Sequence, residues 1–290
     1  MEKNNKAAIE ALLARHGFHF SKSMGQNFLV DPDIPAAIAD SSGADETNGV
    51  LEIGPGIGAL SSCLCRRAGR VVAVELDRTL LPILDETMAD FDNFEVVSAD
   101  ILKTDIPALV REKFAGLAPI VCANLPYNIT TPAITALIES RCFESITVLV
   151  QKEVAERLCA KPGTPAYGAF SVFMQYYTEP ELLFEVPKEC FEPMPKVTSA
   201  VLRAQVREKP PVEPADEKFF FKTVYAAFAL RRKTLINSLM TAFGTKLSKE
   251  ELTKIVVSCG LDASVRGERL GLAEFAALSD AIFAALAKNA

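Results

Sequence analysis

The stretch Leu51-Glu52-Ile53-Gly54-Pro55-Gly56-Ile57-Gly58 decides how this chain is read. The apolar run 49–53 has the length and composition of a strand buried on both faces. Helical spacing begins just after it, over 59–68. Glycines between a strand and a helix let the backbone turn tightly and come close to a ligand. The helix start beyond them adds exposed N–H donors. Glu75 closes the next apolar run, 70–76, and lies 21 residues after Gly54. At that spacing a carboxylate can accept hydrogen bonds from both hydroxyls of a ribose. The plain alternative is a glycine-containing turn beside a surface glutamate. Strand, helix and Glu75 in register favour a nucleoside site.

Further short runs rich in Val, Ile and Leu follow at 94–99, 119–123 and 145–150, with helical patterns at 79–89 and 131–140 between them. This alternation predicts an α/β fold with a parallel, doubly wound sheet. Two more strands are expected within 181–186 and 198–206. Ahead of the sheet lie an amphipathic N-terminal helix, a polar turn-rich stretch at 20–29, and a helix over 33–41 opened by Asp31-Pro32. Lys209-Pro210-Pro211-Val212-Glu213-Pro214 reads as a linker, which gives domains 1–209 and 210–290. The second is helical throughout, with helices at 216–229, 233–243 and 273–287. Between the last two, Ser248-Lys249-Glu250-Glu251 has the form of a capping box.

The 290 residues carry 31 Lys+Arg and 37 Asp+Glu, a net charge of −6. Taken as an average, this counts against a phosphate-rich partner. The charge is unevenly spread: residues 1–200 sum to −10 and residues 201–290 to +4. Between Lys218 and Lys249 there are seven basic residues and no acidic one. Such a split suggests two parts with different partners. The seven cysteines form no CxxC pair, and only two histidines are present, so neither a disulfide framework nor a metal site is expected. No apolar stretch approaches the ~18 residues of a membrane span. Together these features predict a cytoplasmic chain with no membrane partner.

The glycine spacing also narrows the cofactor. A dinucleotide loop normally places a pyrophosphate over the helix start, and the carboxylate of Glu52 would repel it. A cationic ligand suits Glu52 better, and S-adenosylmethionine carries both a sulfonium and an ammonium group. Asp100, at the end of the third strand, is placed either to meet an adenine amine or to cap the helix that follows. Asn124-Leu125-Pro126-Tyr127 ends the fourth strand, at the sheet edge where such folds bind ligands. The Asn124 amide oxygen and the Leu125 carbonyl, pinned by Pro126, can both accept hydrogen bonds from one exocyclic amine. The Tyr127 ring can stack on the base that carries it. The plain alternative is an Asn-Pro turn with a core tyrosine.

These residues together resemble the KsgA/RsmA family of ribosomal RNA adenine dimethyltransferases, related to the Erm methyltransferases. The resemblance covers nearly the whole chain. It includes Gly25-Gln26-Asn27-Phe28-Leu29, the glycine loop, Val74-Glu75-Leu76-Asp77, Ala99-Asp100 and the Asn-Leu-Pro-Tyr turn. It continues through Phe191-Glu192-Pro193-Met194-Pro195-Lys196-Val197-Thr198-Ser199 and Arg231-Arg232-Lys233-Thr234-Leu235. The resemblance implies a Rossmann-like class I S-adenosylmethionine-dependent methyltransferase domain with a small all-helical C-terminal domain. By it, Asn27, Leu29, Glu52, Gly54, Gly56, Glu75, Asp100, Ile101 and Asn124 would bind the cofactor. Tyr127 and Phe191 would sandwich the target adenine, although core packing is the plain reading of Phe191. The implied reaction converts two adjacent adenosines, in a hairpin loop near the 3′ end of small-subunit ribosomal RNA, to dimethyladenosines. It releases S-adenosyl-L-homocysteine. The implied partner is that RNA in a pre-30S-like particle, met by a monomer.

Lys22, Arg231, Arg232 and Lys233 are the expected RNA-gripping cations, phosphate contacts that position while the pocket selects the base. As a charge run, 231–233 could equally solvate a helix end. Other readings remain open. One is an Erm-type enzyme acting on large-subunit RNA. Another is a DNA adenine methyltransferase, which usually has a second proline where Leu125 stands. A third is an assembly factor that acts mainly by binding.

Overall fold

The computed structural model describes residues 6–20 and 25–288. The chain opens with helix α1 (Lys6–Arg15), strand β1 (Phe28–Leu29) and helix α2 (Asp33–Ser42). The alternation follows: β2 (Asn48–Ile53), α3 (Ala59–Cys65), β3 (Arg70–Glu75), α4 (Leu81–Thr87), β4 (Phe94–Ser98), α5 (Ile106–Lys113), β5 (Ala118–Asn124), α6 (Thr130–Glu139), β6 (Ser145–Gln151) and α7 (Lys152–Leu158). Then come α8 (Ala169–Tyr177), β7 (Thr178–Val186), β8 (Phe191–Glu192) and β9 (Ser199–Val206). Four helices complete the chain: α9 (Glu217–Phe228), α10 (Leu235–Phe243), α11 (Lys249–Ser258) and α12 (Leu272–Lys288). The short α5 escapes the periodicity reading. It is set instead by local chemistry: Asp105 accepts the Ala108 N–H at 2.9 Å, and Pro107 sits in the first turn.

Seven strands form one sheet in the order β4-β3-β2-β5-β6-β9-β7. The five from β4 to β6 are parallel, and β9 runs antiparallel to β6, so the sheet is mixed rather than wholly parallel. The order turns around between β2 and β5: the chain winds outward through β3 and β4, then returns to the other side of β2. Ligands bind outside the carboxyl ends of the strands at such a switch point. Every residue of β2 is buried, as a central strand with both faces covered requires. Its Val50 packs with Ile38, Leu64, Val71 and Ile120.

The chain divides into two compact units, Met1–Ala155 with Glu181–Val206, and Glu156–Pro180 with Arg207–Ala290. The proline-rich stretch at 209–214 is close to one crossing, and 156–180 falls in the second unit rather than with the rest of 1–209. The reason is aromatic. Tyr167 and Tyr176 are buried in the core of the second unit with Phe220, Leu239, Phe243 and Phe275. The Tyr167 hydroxyl donates to the Leu270 carbonyl at 2.9 Å, and the Tyr177 hydroxyl to Glu217 at 2.6 Å. The capping box of α11 forms as its sequence predicts. The Glu251 N–H donates to Ser248 Oγ at 3.2 Å, and the Ser248 N–H to Glu251 at 2.7 Å.

Candidate active site

A cavity of ≈ 220 Å³ opens at the carboxyl ends of β2, β3 and β5. The glycine loop forms its floor. Gly54, Gly56 and Gly58 all have left-handed backbone, with φ of 68°, 60° and 83°. A Cβ on Gly56 would stand 3.1 Å from two carbons of the Phe28 ring. The loop is therefore both conformationally and sterically reserved for glycine there. The Gly54 N–H donates to the Val74 carbonyl at 3.0 Å, which ties the loop to the end of β3.

Glu75 ends β3 and is 6% exposed. Its carboxylate accepts the Asp77 N–H at 2.7 Å. Burial pushes its pKa up, and the backbone N–H groups of Asp77, Gly56 and Leu76 pull it back. This leaves a carboxylate rigidly held at the rim of the loop, as reading two vicinal hydroxyls requires. Glu52 differs. It is 1% exposed, accepts a 2.6 Å bond from Ser61 Oγ, and burial pushes its pKa up to about 8. Glu52 lines the cavity, and burial disfavours the charged form of its carboxyl. Desolvation thus works against a standing negative charge at Glu52, whereas a cationic ligand beside it would favour one.

Asp100 also lines the cavity and serves the cap as well. Its Oδ1 accepts the Leu102 N–H at 3.0 Å, and Oδ2 lies 3.3 Å from Lys103 Nζ. Ile101 is buried beside it. Leu76 and Leu102 border the same wall yet stay 53% and 41% exposed, two uncovered apolar side chains facing the cavity. Uncovered apolar side chains beside acceptors fit a purine face, and Glu75 fits its ribose. These residues fit S-adenosylmethionine. Among the described residues no group of side chains could hold a metal ion.

The far wall comes from 25–29 and the Asn-Leu-Pro-Tyr turn. Gln26 Nε2 donates to Asp77 at 2.6 Å, which straps this segment to the end of β3. Asn27 Nδ2 donates to the Gly25 carbonyl at 3.1 Å, and Asn124 Nδ2 to the Asn27 carbonyl at 3.2 Å. The second bond fixes the plane of the Asn124 amide, and with it the direction of Oδ1. Leu29, Leu125, Pro126 and Tyr127 line the cavity too. The Leu125 N–H donates to the Leu149 carbonyl at 3.1 Å, and the Tyr127 hydroxyl lies 2.7 Å from Ser199 Oγ.

Phe191 is the exception. It is 2% exposed and absent from the cavity wall. The β1–β8 pairing sets it opposite Leu29, and it packs with Leu149, Val186 and Val201. Core packing accounts for its burial. Lys22 lies outside the described residues. Arg231, Arg232 and Lys233 are exposed in the second unit, where Arg231 Nη2 donates to the Pro165 carbonyl at 2.7 Å. The sequence reading passed over Gln26, Ser61, Leu76, Leu102 and Ser199. An apolar residue beside an acid at a strand's carboxyl end would have flagged Leu76 and Leu102. Nothing local flags Ser199, which meets Tyr127 across 72 positions.

The family model described as Ribosomal RNA adenine dimethylase matches residues 17–277. A relative from Shouchella clausii named Ribosomal RNA small subunit methyltransferase A is 46% identical, covering 97% of this chain and 96% of its own. One of the same name from Streptococcus pneumoniae serotype 2 is 50% identical, covering 95% and 96%. Among solved structures, the 23S rRNA methyltransferase ErmE is similar with a TM-score of 0.69, at 25% identity over 88% of this chain and 99% of that one. A dimethyladenosine transferase from Plasmodium falciparum shares the fold with a TM-score of 0.72, at 23% identity over 87% and 95%. The family match takes in the whole cavity wall and most of the helical unit, and the chain belongs to the ribosomal RNA adenine dimethylase family of S-adenosylmethionine-dependent methyltransferases.

Proposed function

We propose that this chain dimethylates the 6-amino groups of two adjacent adenosines in a hairpin loop near the 3′ end of small-subunit ribosomal RNA. The observation that carries the chemistry is the Asn124 amide, oriented by the Asn27 carbonyl in the wall of a cavity that Tyr127 also lines. Asn124 Oδ1 and the Leu125 carbonyl accept hydrogen bonds from the adenine amine. These bonds favour a tetrahedral nitrogen and free its lone pair from the ring. The Tyr127 ring stacks on the base and holds that lone pair in line. S-adenosylmethionine, when bound, supplies the methyl group as an electrophilic sulfonium. The residues then act by position and electrostatics, and the proton released from the methylated nitrogen passes to water. A loop adenine is already partly unstacked, which lowers the cost of bringing it into the pocket.

The small-subunit target is supported by relatives of that name at 46% and 50% identity, against 25% for the large-subunit enzyme. On this reading the chain works as a cytoplasmic monomer on a pre-30S-like particle. Arg231, Arg232 and Lys233 grip phosphates there, with Lys22 as a further cation, and the binding itself aids small-subunit biogenesis. The test offers radiolabelled S-adenosylmethionine with small and large subunits from a strain lacking the modification. Label is expected on small-subunit RNA, and label confined to large-subunit RNA would overturn the assignment. Asn124→Ala should reduce labelling at least ~100-fold, comparable to loss of an oriented polar group in other active sites, with the fold intact by circular dichroism. Full labelling by that variant would refute the chemistry.

A further inference from the structure

Tyr127 is held at two ends. On the backbone side, it lies in the turn closed by the Ile129 N–H, which donates to the Pro126 carbonyl at 3.1 Å. At the other end its hydroxyl lies 2.7 Å from Ser199 Oγ. Ser199 is fully buried and is the first residue of β9. Its backbone is registered opposite Gln151 of β6, and the Lys152 N–H donates to the Thr198 carbonyl at 3.0 Å just beyond. The serine hydroxyl is thus a fixed point on the sheet, tied to a ring that belongs to a turn. Ser199 stands behind Tyr127 and does not line the cavity. Burial pushes the Tyr127 phenol above its ordinary value, so the ring keeps its proton at neutral pH.

A stacking ring that swings about its first side-chain torsion loses orientation each time a base arrives, and preorganisation removes that cost. Tyr127 lines the cavity, so a fixed ring there presents a fixed face to the base. We infer that Ser199 is a positioning residue for the target adenine: through its hydrogen bond it locks the Tyr127 ring in the orientation on which the base stacks. The inference rests on the adenine-methylating reading of the site.

The test is a double-mutant cycle with Ser199→Ala, Tyr127→Phe and the pair. Methyl transfer is measured to small subunits that lack the modification, with kcat and the affinity for S-adenosylmethionine determined separately. Each single variant removes the same bond from one end. Each should lower kcat about tenfold, with cofactor affinity and the thermal transition nearly unchanged. The pair should be no slower than the slower single variant, because the bond can be lost only once. Full kcat in either single variant would overturn the inference. So would a second, independent tenfold loss on adding Ser199→Ala to Tyr127→Phe, since the serine would then act through something else. Tyr127→Phe leaves the sheet untouched, so it decides the question even if Ser199→Ala fails to fold. Failure of the unmodified enzyme to label small subunits would overturn the functional reading, a result distinct from full activity of the variants.

Discussion

Glu52→Gln should change how the stability of this protein depends on pH. The Glu52 carboxyl is 1% exposed, with its pKa pushed up from 4.5 to about 8. Each pKa unit corresponds to about 1.4 kcal/mol between the two protonation states. The shift of about 3.5 units therefore amounts to roughly 5 kcal/mol as an order of magnitude. The sign follows from which state binds the proton. Between pH 4.5 and about 8 the folded chain keeps a proton that the unfolded chain releases. The contribution is full below the unfolded value and is lost as pH rises through about 8. Glutamine keeps the shape and an oxygen that can accept from Ser61, but cannot ionise.

Urea unfolding of both proteins from pH 6 to pH 8 should thus show the unmodified chain losing about 2–3 kcal/mol relative to the variant. All other titrating groups are present in both proteins, so the difference reports Glu52 together with its coupling to Glu75. The carboxyl carbon of Glu52, followed by NMR, should titrate with a midpoint near pH 8. Parallel stability profiles, or a midpoint near the ordinary 4.5, would refute the argument that burial governs this group.

Gly56→Ala forces a Cβ into left-handed backbone and to 3.1 Å from the Phe28 ring. It should cost about 1–2 kcal/mol and weaken S-adenosylmethionine binding, read by thermal melting and calorimetry; unchanged values in both would show that the loop tolerates a side chain. Reversing Arg231, Arg232 and Lys233 to glutamate should weaken binding to small-subunit particles. The salt dependence of log K should become shallower by about two or more, as loss of three phosphate contacts requires, and an unchanged slope would remove these cations from the interface.

What was legible in the sequence was what local chemistry decides. The glycine loop needs left-handed backbone between a strand and a helix, and glycine is the residue that supplies it. Glu75 is placed by strand length, and the Ser248–Glu251 box by a three-residue spacing. Asn124 and Tyr127 follow a strand whose end lies at the switch point. The helix 106–113 is not legible from periodicity, because its start is set by the Asp105 cap. That segment 156–180 packs with the second unit is not legible locally, because Tyr167 and Tyr176 look like any buried aromatic until their partners in 220–275 are known.

The amino-acid sequence alone determined the layered α/β architecture, the nucleoside-binding loop and the adenine-pocket turn, because each depends on residues near one another in the chain. Only the tertiary structure decided what burial does to them. It buried Glu52 so that its charged form is disfavoured, since desolvation depends on everything packed around a group. It moved Phe191 into the core through its register with Leu29, and it brought Ser199 across 72 positions to the Tyr127 hydroxyl. Spacing along the chain specifies which groups are available, and the packed interior sets their charge, exposure and orientation.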